Sequence, residues 1–376
     1  MENHKKNSER NLWRLKSDRY AVSQVVSVLL IVALVISVMP VILFWGMPLI
    51  DEKKTENEIQ TIYYSFEIID NTIEGLLLEG SGAKRVVGIA CPNENGDLST
   101  DISIDNKLIV MYTYDDDYDF DISGLEETGV NDDVFSVSMT DPASSFTNAI
   151  LYFLNPGGDY DYSEDADYIV PDDYNDPGDK ENQLVNAGEI QANRNLEGNL
   201  LIDLYDTDVS AHPLARVWVF EIGSISYKAY YNAGTQRTAF ENGVIMTYGI
   251  KNKGVVNAPT LIISNDKNSV ALRVLQLNGL DVNSFSGRST LEIMFNLVNS
   301  YRREKPTEFL INTHGDVGSH VSNLKFKFFG KNKETWKNYF TLMDEFDKID
   351  SNTVEYNTVG INFILDSSFI DVDLGI

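Results

Sequence analysis

The residues best suited to chemistry in this sequence are carboxylates. Asp and Glu number 57 against 30 Lys and Arg, which gives a formal net charge of −27. The imbalance is greatest from Leu108 to Asp179, where 19 acidic residues occur without one Lys or Arg. Because Ca²⁺ prefers hard oxygen ligands, the densest part of this stretch supplies the candidate calcium ligands, which are Asp159, Asp161, Asp165 and Asp167.

These four carboxylates do not follow the EF-hand spacing. Counted from Asp159, Glu164 stands where the calcium loop needs Gly, and Val170 stands where it needs a bidentate Glu. Two interpretations stay open: an irregular calcium site, and acidic loops that are solvated without a metal. In both cases the excess negative charge would repel phosphates, so we expect no nucleic-acid partner.

Groups that could support catalysis are scarce. The chain has four His, and only His314 and His320, together with Asp316, lie close enough in sequence to suggest metal ligation. A zinc site would need one more ligand, and no G-x-S-x-G nucleophile motif is present. The sequence therefore predicts no enzymatic activity and no cofactor beyond the calcium considered above. The single cysteine, Cys91, cannot form an intramolecular disulfide, and we expect it to be a buried small apolar residue.

A long apolar run lies near the N-terminus. No charged residue interrupts the 30 positions from Ala21 to Ile50, and about 20 apolar residues suffice for a helix to cross a bilayer. This run predicts a transmembrane helix over residues 22–50, with membrane lipid as its partner. Six Lys and Arg lie in the leader, residues 1–21, whereas Asp51 and Glu52 follow the run. The positive-inside rule therefore predicts a single-pass protein with a cytoplasmic N-terminus and an extracellular body.

The first residues of the apolar run carry a family resemblance. The sequence AVSQVVSVLL, which begins at Ala21, resembles the start of archaeal type IV pilins and pilin-like proteins, which typically read A-V-S-P-V-I-G-V-I-L. Gln24 stands in place of the common Pro, and Ser27 in place of the common Gly. The resemblance implies that a prepilin peptidase cuts after Ala21 and leaves Val22 as the new N-terminus, with Arg19 as the basic residue before the cut. It also implies pilus-type assembly machinery and other pilin-like subunits as partners.

The elements that would position these groups can be read from hydrophobic periodicity. Residues 51–80 show an apolar i, i+3, i+4, i+7 pattern, which predicts an amphipathic stalk helix. The remainder is rich in β-branched and aromatic runs separated by turn residues. We divide it into a β-rich region, residues 81–210, with an acidic insertion at 113–181, and a second β-rich region, residues 211–376, with a helix near 331–347. The predicted class is α+β, with a large antiparallel, sandwich-like domain and a late packed helix.

Three strand predictions and one turn prediction are specific enough to test. Val217–Tyr231 is predicted as one β run, and Asn357–Leu365 and Phe369–Leu374 as two separate closing strands. The passage Gly234–Ile245, which contains FENGV at residues 240–244, is similar to an aromatic-Glu-Asn-Gly-hydrophobic stretch that recurs in archaeal pilin-like ectodomains. We expect it to form a turn between paired strands and to have a structural role.

Two functional hypotheses remain. The first is a pilin-like, membrane-anchored cell-surface protein with a structural or adhesive role, such as a minor subunit of a type IV pilus-type filament. The alternative is a membrane-anchored extracellular binding module that uses the acidic loops, with or without bound calcium. An anchored ectoenzyme is the least favoured class, because no acid–base pair is marked in the sequence.

Overall fold

The computed structural model describes residues 2–101, 106–114, 121–127, 134–140, 148–154, 189–193, 199–205, 213–250, 254–257, 261–279, 284–304 and 320–375. Side chains are described in residues 24–100, 106–114, 201–204, 213–250, 254–257, 261–279, 284–300 and 320–373. The chain divides into two structural units, Met1–Gln60 and Thr61–Ile376.

Helix α1 (Glu2–Glu79) forms the first unit and supplies the start of the second. It ends at Gly80, which has a φ of 91° and donates its N–H to the carbonyl of Leu76 at 3.1 Å. Glycine adopts this left-handed conformation without a Cβ penalty. Residues 51–79 of the predicted stalk segment, 51–80, thus belong to α1, the same helix as the apolar run that precedes them.

The described part of the second unit then contains 21 strands and one short helix. In chain order they are β1 (Lys84–Cys91), β2 (Gly96–Asp101), β3 (Lys107–Thr113), β4 (Asp121–Glu127), β5 (Val134–Thr140), β6 (Asn148–Leu154), β7 (Glu189–Asn193), β8 (Asn199–Tyr205), β9 (Ala215–Glu221), β10 (Ser224–Tyr231), β11 (Gly234–Glu241), β12 (Val244–Tyr248), β13 (Gly254–Val255), β14 (Leu261–Ile263), β15 (Ser269–Gly279), β16 (Ser284–Ser286), β17 (Ser289–Glu304), β18 (Ser322–Phe328), α2 (Lys333–Phe340), β19 (Phe346–Lys348), β20 (Thr353–Tyr356) and β21 (Asn362–Gly375).

The strands form four sheets. Sheet I has the order β1-β17-β21-β15-β14, sheet II β13-β12-β11-β10-β2-β16, sheet III β19-β20-β18-β3-β9-β8-β6, and sheet IV β4-β5-β7. One long N-terminal apolar helix followed by a large β-rich region is the α+β class predicted from the sequence. One strand pair departs from the antiparallel prediction, because β15 and β21 are parallel over eleven register pairs from Ser269–Asn362 to Gly279–Val372.

Two buried cores lie in the second unit. The α2 core joins α2 to sheets I, II and III; its members include Trp218, Phe220, Val244, Met246, Val270, Leu272, Val274, Phe326, Phe328, Trp336, Phe340, Phe363 and Leu365. The α1 core joins residues 62–76 of α1 to sheets I and II; its members include Ile62, Phe66, Ile69, Ile73, Leu76, Leu98, Tyr227, Phe240, Ile245, Leu275, Leu277, Phe295, Ile370 and Val372.

The parallel strands β15 and β21 contribute side chains to both cores, each core from a different face of the strand pair. In β15, Val270, Leu272 and Val274 belong to the α2 core, whereas Leu275 and Leu277 belong to the α1 core. Alternate residues of a strand point to opposite faces, so the apolar face changes side between positions 274 and 275. β21 changes side in the same way, between Leu365 and Ile370. These two strands therefore connect the cores.

The predicted strand Val217–Tyr231 is wrong as a single element. The chain leaves sheet III at the end of β9 and enters sheet II with β10, and the corner includes Gly223. A Cβ at Gly223 would lie 2.0 Å from the carbonyl oxygen of Leu277. Only glycine lets β15 pass so close, and this non-local contact is not marked in the local β propensity of the run.

Two other boundaries differ from the prediction. The two predicted closing strands are one strand, β21, which is buried between β15 and β17. The late helix is shorter than residues 331–347, because turn bonds from Leu342 and Met343 follow it and Phe346 pairs with Tyr356 in a strand. The expected packing of this helix is confirmed, since Trp336 and Phe340 are both 2% exposed.

Candidate functional site

The apolar segment of α1, residues 24–50, is exposed around its whole circumference. Gly46 is half-buried, and all other residues from Gln24 to Ile50 are exposed, including Phe44 at 79% and Trp45 at 75%. Water-exposed apolar surface of this extent is unfavourable, and large exposed apolar patches mark membrane or protein interaction sites. The helix is long and apolar enough to cross a membrane.

The length of the segment fits a bilayer. A helix over residues 22–50 extends about 43 Å at a rise of about 1.5 Å per residue, and the hydrocarbon core is about 30 Å thick. The charged residues that follow the segment form ion pairs along the helix: Lys53 with Glu56 at 2.7 Å, and the exposed Lys54 with the buried Glu58 at 3.8 Å. Ion pairs with a solvent-exposed partner contribute little stability, but the charges end the apolar segment sharply.

The later part of the same helix behaves differently. Ile62, Phe66, Ile69, Ile73 and Leu76 recur at steps of four and three residues, and each is at most 2% exposed. This spacing places the five side chains on one face of a helix, which packs in the α1 core. Residues 61–79 are therefore part of a folded domain, whereas the exposed segment has no such face.

The predicted processing site lies about five turns into this helix. Arg19, Ala21 and Val22 fall within α1, and their side chains lie outside the described residues. The prediction of cleavage after Ala21 therefore stays a prediction.

The candidate calcium ligands Asp159, Asp161, Asp165 and Asp167 lie outside the described residues, as do His314 and Asp316. His320 is described and exposed. Within the described ranges, no three His, Cys, Asp or Glu side chains lie together as metal ligands would. The calcium prediction therefore stays untested.

The FENGV stretch forms a tight hairpin turn. Glu241 pairs with Val244 across the two-residue loop Asn242-Gly243, and both loop residues have positive φ, 49° and 73°. This is the backbone conformation that the Asn-Gly signal favours, so the predicted turn between paired strands is confirmed.

The side chains of this turn hold three elements together, which the sequence did not indicate. The carboxylate of Glu241, 2% exposed, accepts from Trp336 Nε1 and Asn332 Nδ2 at 2.6 Å each, and so ties the turn to α2. Asn242 Oδ1 accepts the N–H of Leu275 at 2.7 Å. Leu275 is the first residue of β15 after its apolar face changes side. The turn therefore fixes the crossing point between the two cores.

A carboxyl group with a perturbed pKa lies on α1. Burial, and then the neighbouring charge of Glu74, raise the pKa of Asp70 to about 6, although a hydrogen bond from Asn257 Nδ2 opposes the shift. Asp70 lies twenty residues beyond the end of the exposed apolar segment. Sequence reasoning missed it because Asn257 is remote in sequence.

Cys91 is buried as predicted, at 1% exposure. Burial raises the pKa of its thiol to about 11, so at neutral pH the reactive thiolate is scarcely populated. This cysteine packs in the α1 core and offers no nucleophile.

Comparison with protein families, with characterised proteins and with solved structures found no match to this chain.

Proposed function

We propose that this chain is a pilin-like, membrane-anchored protein of the cell surface, with a structural or adhesive role. One observation carries the proposal. A single helix is apolar and exposed on all sides over residues 24–50 and buried along one face over residues 62–76. The first part suits lipid or packing against other apolar helices, and the second part belongs to a large β-rich domain.

The proposed orientation is a cytoplasmic N-terminus and an extracellular body. The leader carries an excess of Lys and Arg, and the residues after Ile50 begin with Asp51 and Glu52. A strongly acidic, solvated body with one cysteine is compatible with this location. Because the head is bulky for a densely packed filament, a minor subunit fits better than a main one.

The resemblance at Ala21 adds a processing step to the proposal. A prepilin peptidase would cut between Ala21 and Val22, and the assembly machinery would then place the apolar helix among those of other pilin-like subunits. Membrane lipid and other subunits are the two environments that the exposed segment would occupy in turn.

N-terminal sequencing of the mature protein tests this proposal. After production together with an archaeal prepilin peptidase, we expect the mature chain to begin at Val22. Replacing Arg19→Asp should slow the cleavage, because it removes the positive charge next to the cut, whereas the control Arg14→Asp should not. An intact Met1 under all conditions would exclude a processed filament subunit.

A further inference from the structure

Two cations face each other on the two central strands of sheet II, β10 and β11. Lys228 of β10 is the cross-strand partner of Arg237 of β11. Like charges directly opposite each other on neighbouring strands are destabilising. Basic residues are the minority in this chain, 30 against 57 acidic ones. Two of them directly opposite each other are therefore not expected from the composition, and their pairing neutralises no charge.

Neither cation has an acidic partner in the described part of the chain. Lys228 is exposed and Arg237 is half-buried, and neither forms an ion pair there. Asp97 faces Lys228 across the β2/β10 pair, but its carboxylate accepts a hydrogen bond from Ser286 on the next strand. Among the described residues, Lys228 and Arg237 therefore form no ion pair with a carboxylate.

Each cation is held in place by an aromatic ring. Lys228 Nζ lies 4.9 Å from the ring centre of Tyr230, and Arg237 Cζ lies 5.9 Å from that of Tyr248. Cation–π contacts of this kind position the charge without neutralising it. The guanidinium of Arg237 presents a planar fork of donors that suits a carboxylate. We name these four residues, Lys228, Tyr230, Arg237 and Tyr248, the basic–aromatic patch.

The same chain contains a segment of complementary chemistry. Residues 159–179 contain nine Asp and Glu and four Tyr, and no Lys or Arg. Its carboxylates match the two cations, and its tyrosines match the two aromatic rings of the patch. A protein of net charge −27 repels other copies of itself, so a local contact between opposite charges would favour association of the acidic bodies.

We propose that the basic–aromatic patch docks the acidic segment 159–179 of a second copy of this chain. The inference rests on the proposed function in taking neighbouring copies as the partners. It adds a head-to-head contact outside the membrane, which is made by charge and aromatic stacking and is independent of the apolar helix.

The test uses the full-length protein in detergent and a fluorescent peptide of residues 159–179. We expect binding by fluorescence anisotropy that weakens when salt rises from about 0.05 M to about 0.5 M, because screening shortens the reach of surface charges. The double variant Lys228→Glu, Arg237→Glu should lose affinity by about tenfold or more. The control Lys333→Glu, Lys337→Glu on α2 changes the net charge equally and should bind as the parent does.

A charge-swap arm tests specificity. A peptide with Asp159, Asp161, Asp165 and Asp167 replaced by Lys should bind the double variant and not the parent protein. Sedimentation should show salt-sensitive self-association of the parent, which the double variant lacks while retaining its circular dichroism spectrum.

Failure of the peptide to bind, equal binding by the parent and the double variant, or a monomeric parent at low salt would each overturn the inference. These outcomes leave the N-terminal sequencing result unaffected. A mature N-terminus at Val22 without peptide binding would therefore reject the contact and retain the anchored subunit.

Discussion

At the scale of single residues, Asp70 shows how a half-buried carboxyl can oppose the stability of its own domain. It lies between Glu67 and Glu74 on α1, at steps of three and four residues, so the three carboxylates share one helix face. Burial and the two neighbours raise its pKa to about 6, well above the value of 3.8 for an ordinary Asp. Because the folded state holds the proton more tightly than the unfolded chain, this group makes the protein less stable as pH rises from about 4 to about 6.

Replacing Asp70→Asn should remove this effect. At pH 8 the variant should have a higher melting temperature than the parent protein, since no charge is then buried beside Glu67 and Glu74. The difference should shrink as pH falls below about 6 and the parent's Asp70 becomes protonated. Thermal unfolding of the full-length protein in detergent, followed at several pH values, measures this. An exposed acid provides the control: Glu94→Gln should leave the profile unchanged. A pH-independent difference between Asp70→Asn and parent would contradict the assignment.

At the scale of elements, the hairpin β11–β12 joins the two cores. Its turn residues Glu241 and Asn242 bond to α2 and to β15, and its strands contribute Phe240 to the α1 core and Met246 to the α2 core. The Asn-Gly pair therefore favours the turn conformation locally, and this conformation places Glu241 and Asn242 for their long-range contacts with α2 and β15.

The substitution Asn242→Gly tests the contribution of the Asn242 side chain separately from that of the turn's backbone conformation. Glycine accepts the φ of 49° without strain, but the buried N–H of Leu275 loses its acceptor, which costs about 1–3 kcal/mol. We expect a lower free energy of unfolding by this amount in denaturant titration. Lys267→Gly is the matched control, because Lys267 also has a positive φ, 61°, but it lies on the surface. Equal effects of the two glycines would show that the Asn242 side chain contributes nothing.

At the scale of the whole molecule, the uneven distribution of charge along the chain supports the proposed orientation in the membrane. The basic leader precedes the apolar segment, and the remainder of the chain is strongly acidic. By the positive-inside rule, the proposed topology places the β-rich domain outside the cell and the leader inside.

Cysteine labelling can test this topology with little background, because Cys91 is buried and its pKa is raised. A membrane-impermeant maleimide should label Leu342→Cys on intact cells, since Leu342 is 85% exposed in the β-rich domain. It should label Ser8→Cys in the leader only after the membrane is opened, provided that the leader is retained in a strain without the peptidase. The parent protein controls for labelling of Cys91. The reverse pattern would place the body in the cytoplasm.

Local patterns determined several features by themselves. Length and absence of charge marked the apolar segment 22–50, the helical period marked the buried stripe from Ile62 to Leu76, and Asn242-Gly243 marked a hairpin turn. Each of these signals needs only neighbouring residues, because helix periodicity and turn conformation are local properties of the chain. The α+β class followed from their order along the sequence.

Only the tertiary structure decided how the strands meet. The change of face in β15 and β21 is visible as a shift in apolar spacing, but the sequence does not say that the two strands pair in parallel or which core each face meets. The bond of Glu241 to Trp336 and the opposition of Lys228 and Arg237 depend likewise on register and on contacts between distant segments. Such contacts are set by the packing of the whole domain, so the apolar helix could be read from the sequence and the basic–aromatic patch could not.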